Sequence, residues 1–246
     1  MLLLAGTGEA RELARDLAGD PRIAVVSSLA GRTRTPDLPP GEVRVGGFGG
    51  ESGLARYLGE TGVGAVVDAT HPFARTMSVT AYRVCTRLGI PYLRFERPAW
   101  TPEPGDRWIE VPDLSAGLER ACREGGCIFA SIGRSAWPLL ATFERCRFVV
   151  RTIEPVDPPA PRVHVVTARP PYTVEGDRAL FEELGVERLL VRNVGGSGAW
   201  SKLAAARALG LEVVMIARPP LAVGPVVETP VQLRSWLEDL LAGRSR

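Results

Sequence analysis

The feature that most constrains this chain is its opening, LLLAGTGEARELA over residues 2–14, where an apolar run passes directly into two closely spaced glycines and then a helix-patterned segment. A buried strand that turns on glycine straight into a helix begins an alternating α/β chain. Apolar runs at 2–5, 23–27, 42–45, 65–68 and 91–95 predict five strands, with helices after the first, over about 51–59, and from Phe73 to a stop at Gly89. Strand and helix in turn over about 95 residues imply a mainly parallel sheet covered by helices on both faces.

Residues 96–108, ERPAWTPEPGDRW, break that rhythm with proline and charge and read as a connection between domains. Beyond them, helices at about 114–123, 136–142, 175–184 and 199–209 alternate with strands at 127–132, 148–152, 163–167, 188–191 and 212–216. A last helix shows Leu233, Trp236, Leu237, Leu240 and Leu241 as one apolar stripe. The expected organisation is α/β in two domains, 1–100 and 101–246, each with a mainly parallel sheet, and a ligand cleft between them.

Composition removes several partners. Thirty Lys plus Arg against 28 Asp plus Glu leave a formal charge of +2, which gives no reason to expect nucleic acid or an anionic membrane. Cys85, Cys122, Cys127 and Cys146 form no CxxC pair and only His71 and His164 could join them, so buried thiols are expected and no metal site. The opening apolar run is too short for a secretion signal and no stretch reaches membrane-spanning length, so the expected location is the cytoplasm. Lys202 is the only lysine beside 29 arginines, a bias that high genomic GC content or a carboxylate-rich ligand would equally produce.

Gly6-Thr7-Gly8-Glu9 permits a tight turn, and close approach of a pyrophosphate to a helix N-terminus; an ordinary tight turn is the competing reading, since the third position of GxGxxG falls on Arg11. Where an NAD site commonly carries an acid after its second strand, this chain has Ser27 and Ser28, with Arg32 and Arg34 following. Nothing there repels a 2′-phosphate, so NADPH is favoured over NADH unless those arginines merely line a wet loop. Thr70 and His71 follow the fourth strand; Thr70 could cap the next helix, and His71 could bind a ligand, act as an acid or serve structure alone. In the second half, Ser131-Ile132-Gly133-Arg134 and Arg192-Asn193-Val194-Gly195-Gly196-Ser197 each follow a strand with small residues, open N–H groups and an arginine, a pattern suited to anions.

Taken in order, LLLAGTGEARELA at 2–14, SSLAGR at 27–32, DATHPFA at 68–74, GIPYLRFERPAW at 89–100, SIGR at 131–134, RTIEP at 151–155 and RNVGGSGAWSKLAAARALGLEVVMIARPP at 192–220 resemble the precorrin-6A reductase family of cobalamin biosynthesis, which includes cobalt-precorrin-6A reductases. The resemblance implies two Rossmann-like domains, with NADPH at the first. It implies a polycarboxylate tetrapyrrole, metal-free or carrying cobalt, as substrate, and transient contact with other enzymes of that route. The implied reaction is hydride transfer to the C18–C19 bond of precorrin-6A, giving precorrin-6B. By that likeness Gly6, Thr7, Gly8, Glu9, Ser27, Ser28, Arg32, Thr70 and His71 serve the cofactor. With the cofactor so placed, the anion-suited loops carrying Ser131, Gly133, Arg134, Arg192, Asn193, Gly195, Gly196 and Ser197 are expected to bind the substrate, and no residue is assigned as acid or base. The family often has Lys-Asn-Ser-Gly-Gly where Arg192-Asn193-Val194-Gly195-Gly196 stand here, which argues against proton transfer at 192 or 194.

Three other classes fit less well. A short-chain dehydrogenase needs Tyr-x-x-x-Lys, and Gly198 stands four residues before Lys202. A methyltransferase using S-adenosylmethionine would favour an acid where Ser27 and Ser28 lie. A non-catalytic NADPH sensor would have no use for the second set of arginine and glycine loops.

Overall fold

A computed structural model describes residues 1–31 and 38–243. The chain divides into two compact units, Met1–Pro98 with the segment from Pro220 onward, and Ala99–Pro219.

The first unit holds β1 (Leu2–Leu4), α1 (Gly8–Ala18), β2 (Val26–Leu29), β3 (Glu42–Val45), α2 (Gly50–Thr61), β4 (Val66–Asp68), α3 (Arg75–Leu88) and β5 (Tyr92–Phe95). The second holds β6 (Arg107–Val111), α4 (Leu114–Cys122), β7 (Gly126–Ser131), a 3-10 turn (Arg134–Ala136), α5 (Trp137–Leu140), β8 (Cys146–Thr152), β9 (Val163–Thr167), α6 (Val174–Glu183), β10 (Arg188–Arg192), α7 (Ser201–Ala208) and β11 (Glu212–Ile216). The chain then supplies β12 (Val226–Val227) and α8 (Pro230–Leu241) to the first unit.

Both sheets are parallel throughout, as the alternation predicted. In the first, the order is β3-β2-β1-β4-β5-β12, the doubly wound 3-2-1-4-5-6 arrangement with the chain's last strand in sixth place. In the second, β9-β8-β7-β10-β11-β6 repeats that order around β7, but the sixth place goes to the strand that begins the unit. The order therefore reverses between β1 and β4, and again between β7 and β10. Those are the positions at which doubly wound sheets take ligands, outside the carboxyl ends of their strands.

Strand alternation builds the layers. Leu3 faces the layer of Leu13, Leu17, Leu233 and Leu237, whereas Leu2 and Leu4 face that of Leu54, Leu58, Val84 and Cys85. The first sheet is thus covered by α1 and α8 on one side and by α2 and α3 on the other. In the second unit Phe129, Val149, Leu189, Val191 and Met215 pack with Phe181 of α6 and Leu203 of α7. On the opposite face α4 comes so near its sheet that a Cβ at Gly117 would lie 2.9 Å from Leu190 Cδ1. All four cysteines are free and buried, as expected.

Two expectations are corrected. Residues 220–243 do not stay with the second domain: β12 pairs with β5, and Leu233 and Leu237 are buried in the first core. The expected connection at 96–108 runs into β6, whose residues 107–111 are an edge strand beside β11. The second strand also starts later than its apolar run, because Val26 is the residue in register with Leu2.

Candidate functional site

In the first unit the turn after β1 is built on Gly6, at φ +124°, a conformation that side chains strongly disfavour. Thr7 then caps α1 by accepting from Ala10 N at 3.1 Å, and its hydroxyl donates to Ala69 O at 3.2 Å, tying the ends of β1 and β4 together. A Cβ at Gly6 would meet nothing within 4 Å, and one at Gly8 only Arg11 Nη2 at 3.9 Å. The helix N-terminus therefore has open space above it, which fits the diphosphate of a dinucleotide. Thr7, Glu9 and Thr70 line one small cleft with Glu96 and Arg97. Arg97 Nη1 lies 2.5 Å from Glu9 Oε2, so a cation offsets the carboxylate that would otherwise face an anion.

Thr70 does not cap α3, which begins after Ala74 without a side-chain cap. It is held instead by Asp68: Oδ1 accepts from Thr70 N at 3.0 Å and from Thr70 Oγ1 at 2.6 Å. Oδ2 of the same carboxylate accepts from Tyr92 OH at 2.8 Å and Arg94 Nη1 at 2.9 Å. Asp68 and Arg94 are wholly buried, so the loop carrying His71 rests on an interior ion pair. His71 Nδ1 accepts from Phe73 N at 3.2 Å, which puts the proton of the neutral ring on Nε2.

At the end of β2 the two serines separate. Ser27 is fully buried, its hydroxyl without a partner among the described residues, whereas Ser28 Oγ lies 3.5 Å from Arg44 Nη1. Arg44 also donates to Gly46 O and Gly47 O and lies 3.8 Å over the Phe48 ring. Arg44 sits on the neighbouring strand, in register with Ser28, so spacing along the chain does not point to it. Arg32, the residue expected at this position, lies outside the described residues.

In the second unit, the loops after β7 and β10 do come together: a Cβ on Gly133 would stand 3.1 Å from Arg192 Nη1. Arg134 is exposed, 5.7 Å over the Trp137 ring. Gly195 and Gly196 both take positive φ, Gly196 O accepts from Trp100 Nε1 at 2.7 Å, and Ser197 is exposed. Asn193 is otherwise committed. Its amide accepts from Trp100 N at 2.8 Å and donates to Trp100 O at 2.9 Å, which makes it a buried anchor for the chain.

Ser131 lines a cavity of about 140 Å³ at the carboxyl ends of β7 and β8, together with Arg151, Tyr172, Asp177, Ser201 and Lys202. Asp177 is paired with Arg151 on one oxygen and accepts from Ser201 Oγ at 2.6 Å on the other. Lys202, 6% exposed, donates to Ala199 O at 2.6 Å, and burial pulls its ammonium down from 10.5 to about 8. Spacing along the chain marks Lys202 only through the Tyr-x-x-x-Lys pair it does not form. Its singularity among 29 arginines was the signal available.

Two parallel doubly wound sheets, one with an open glycine turn where its strand order reverses, define a two-unit α/β protein of the Rossmann class. A family model described as "Precorrin-6x reductase CbiJ/CobK" matches residues 1–238. The precorrin-6A reductase of Rhodococcus erythropolis is 44% identical over 230 residues, 93% of this chain and 92% of that one. That of Mycobacterium tuberculosis strain H37Rv is 43% identical over 243 residues, 98% of each. A solved structure, CobK precorrin-6A reductase, superposes with a TM-score of 0.92 at 39% identity, over 97% of this chain and 95% of its own. The chain belongs to the precorrin-6x reductase family.

Proposed function

We propose that this chain is an NADPH-dependent oxidoreductase that reduces precorrin-6A to precorrin-6B in cobalamin biosynthesis. The observation that carries the reading is identity of 43% to 44% with precorrin-6A reductases over at least nine-tenths of both chains. The balanced reaction consumes precorrin-6A, NADPH and a proton, and yields precorrin-6B and NADP+. When bound, the nicotinamide supplies the hydride, and the C18–C19 bond of the macrocycle receives it.

The chain's own residues have four tasks in this reading. The backbone of Gly6, Thr7 and Gly8 holds the diphosphate at the N-terminus of α1, with Arg97 offsetting Glu9. Ser28, Arg44 and Arg32 recognise the 2′-phosphate; Ser27 drops out because it is fully buried. Thr70 and His71, fixed through Asp68 and Phe73 N, form the wall at the end of β4. The loops carrying Ser131, Gly133, Arg134, Arg192, Gly195, Gly196 and Ser197 bind the carboxylates of the tetrapyrrole, while Asn193 holds Trp100.

Hydride transfer needs the reducible carbon of the macrocycle beside the nicotinamide C4, so the proposal requires both ligands bound at once. The natural substrate in this reading is the metal-free macrocycle, the form for which the two relatives are named. Among the described residues no helix is long and apolar enough to cross a membrane, and no group of His, Cys, Asp and Glu could hold a metal ion. Anaerobic incubation with precorrin-6A and NADPH tests the reading: loss of NADPH absorbance matched by formation of precorrin-6B supports it, and an inert mixture refutes it.

A further inference from the structure

The cavity at the ends of β7 and β8 combines features that a merely structural cluster does not need. It is lined by two cations, Arg151 and Lys202, and one carboxylate, Asp177. Each oxygen of that carboxylate already has a partner, Arg151 on one and the Ser201 hydroxyl on the other. Among the described residues the ammonium of Lys202 donates one hydrogen bond, to Ala199 O; it lies 5.2 Å from the Trp100 ring, and Asp177 and Arg151 are the charges that face it. Arg151 Nε is also buried, without a hydrogen-bond partner among the described residues. An excess of one positive charge lines a recess with hydroxyls from Ser131, Tyr172 and Ser201. Burying such a charge is costly unless an anion joins it.

In a chain whose cationic positions are otherwise all arginine, the one lysine stands where a compact, three-donor charge fits a confined space. At about 140 Å³ the recess is well below the roughly 300–1,000 Å³ of drug-sized ligand sites, so it suits a single short arm and not a ring system. We infer that this cavity is a carboxylate-binding subsite, in which Lys202, with Arg151 and the Ser131 hydroxyl, receives one carboxylate arm of the tetrapyrrole. This deepens the proposed function and rests on it for the source of the arm.

Because Lys202 is the chain's single lysine, lysine labelled at the ε position reports on this site alone. In the free protein, whose facing charges are Asp177 and Arg151, the NMR signal should titrate with a midpoint of about 8. A bound carboxylate favours the charged form, so saturation with precorrin-6A plus NADP+ should move the midpoint upward by about one unit or more. Sodium propionate alone should move it in the same direction, showing that the carboxylate suffices. Lys202→Met should raise KM for precorrin-6A roughly 10- to 100-fold with NADPH affinity unchanged.

If wild type turns over precorrin-6A while the lysine signal stays put and Lys202→Met keeps its KM, the subsite is wrong and the reductase reading stands. If wild type shows no turnover, the reductase reading falls. The propionate titration then decides the subsite by itself: an upward midpoint keeps it and an unmoved one overturns it.

Discussion

Replacing Arg94 by Met removes the cation beneath the loop that carries Thr70 and His71. Arg94 and Asp68 are 1% and 0% exposed, and the guanidinium donates to Asp68 Oδ2 at 2.9 Å, Ser78 Oγ at 2.7 Å and Glu96 Oε2 at 2.9 Å. Methionine fills much of the space but strands a buried carboxylate, whose remaining donors, Tyr92 OH and Thr70, are neutral. Breaking one side of a buried pair costs about 3–5 kcal/mol. That is a large share of the ~5–15 kcal/mol that holds an ordinary protein folded.

Two units preclude a single unfolding free energy, so the readout is native-state hydrogen exchange of the amides in β1, β4 and β5. Those amides should lose protection equivalent to about 3–5 kcal/mol, while β7 and β10 keep theirs. Adding Asp68→Asn should cost less than the sum of the single changes, because the stranded charge is removed as well. Protection within about 1 kcal/mol of wild type in Arg94→Met would refute the reasoning, since an uncompensated interior carboxylate cannot be that cheap.

Arg44→Ala should weaken NADPH binding about 10- to 100-fold and NADH binding little, by calorimetry; equal losses would remove Arg44 from the 2′-phosphate site. Gly8→Val should fold with an unchanged apo melting temperature, because open space surrounds its Cβ, yet lose NADPH binding, so normal affinity would relocate the diphosphate. Arg134→Ala should raise KM for precorrin-6A without changing NADPH affinity, and a selective loss of NADPH binding would move Arg134 to the cofactor site. Lys202 has a folded-state pKa below its ordinary 10.5, so above about pH 8 the unfolded chain holds the extra proton and stability rises with pH. The stability of the second unit, compared between wild type and Lys202→Met by denaturant unfolding, should shift toward wild type by about 3 kcal/mol between pH 8 and 10.5, and a flat difference would contradict the buried charge.

Much of the fold was legible because its signals are local. The apolar run into Gly6 announced β1 and α1, and Gly89 marked the end of α3 in a left-handed cap. What the sequence hid were elements fixed by distant partners. β12 is two residues long and exists because Val226 and Val227 meet Arg94 and Phe95. The stripe Leu233–Leu237 shows that α8 buries a face, but not that the face belongs to the first sheet. β6 was lost in the proline-rich connection because only Val111 of its five residues is buried, the mark of an edge strand. At the site, the glycine turn and the strand-end loops were readable from order alone. Asn193 lies in a pattern that resembles a ligand loop, and its amide is turned to Trp100, a contact that spacing along the chain does not show. Arg44 and Lys202 escaped because proximity to Ser28 and to Ser131 is a product of strand pairing and helix packing, not of spacing along the chain.

The central claim is hydride transfer from NADPH to precorrin-6A, and deuterium at the nicotinamide C4 follows it atom by atom. Purified protein is incubated anaerobically with precorrin-6A and C4-dideuterated NADPH, and the product is analysed by mass spectrometry. The account predicts precorrin-6B carrying one deuterium and one solvent proton, formed in step with NADP+. Unchanged precorrin-6A, or a reduced product without deuterium, would contradict it.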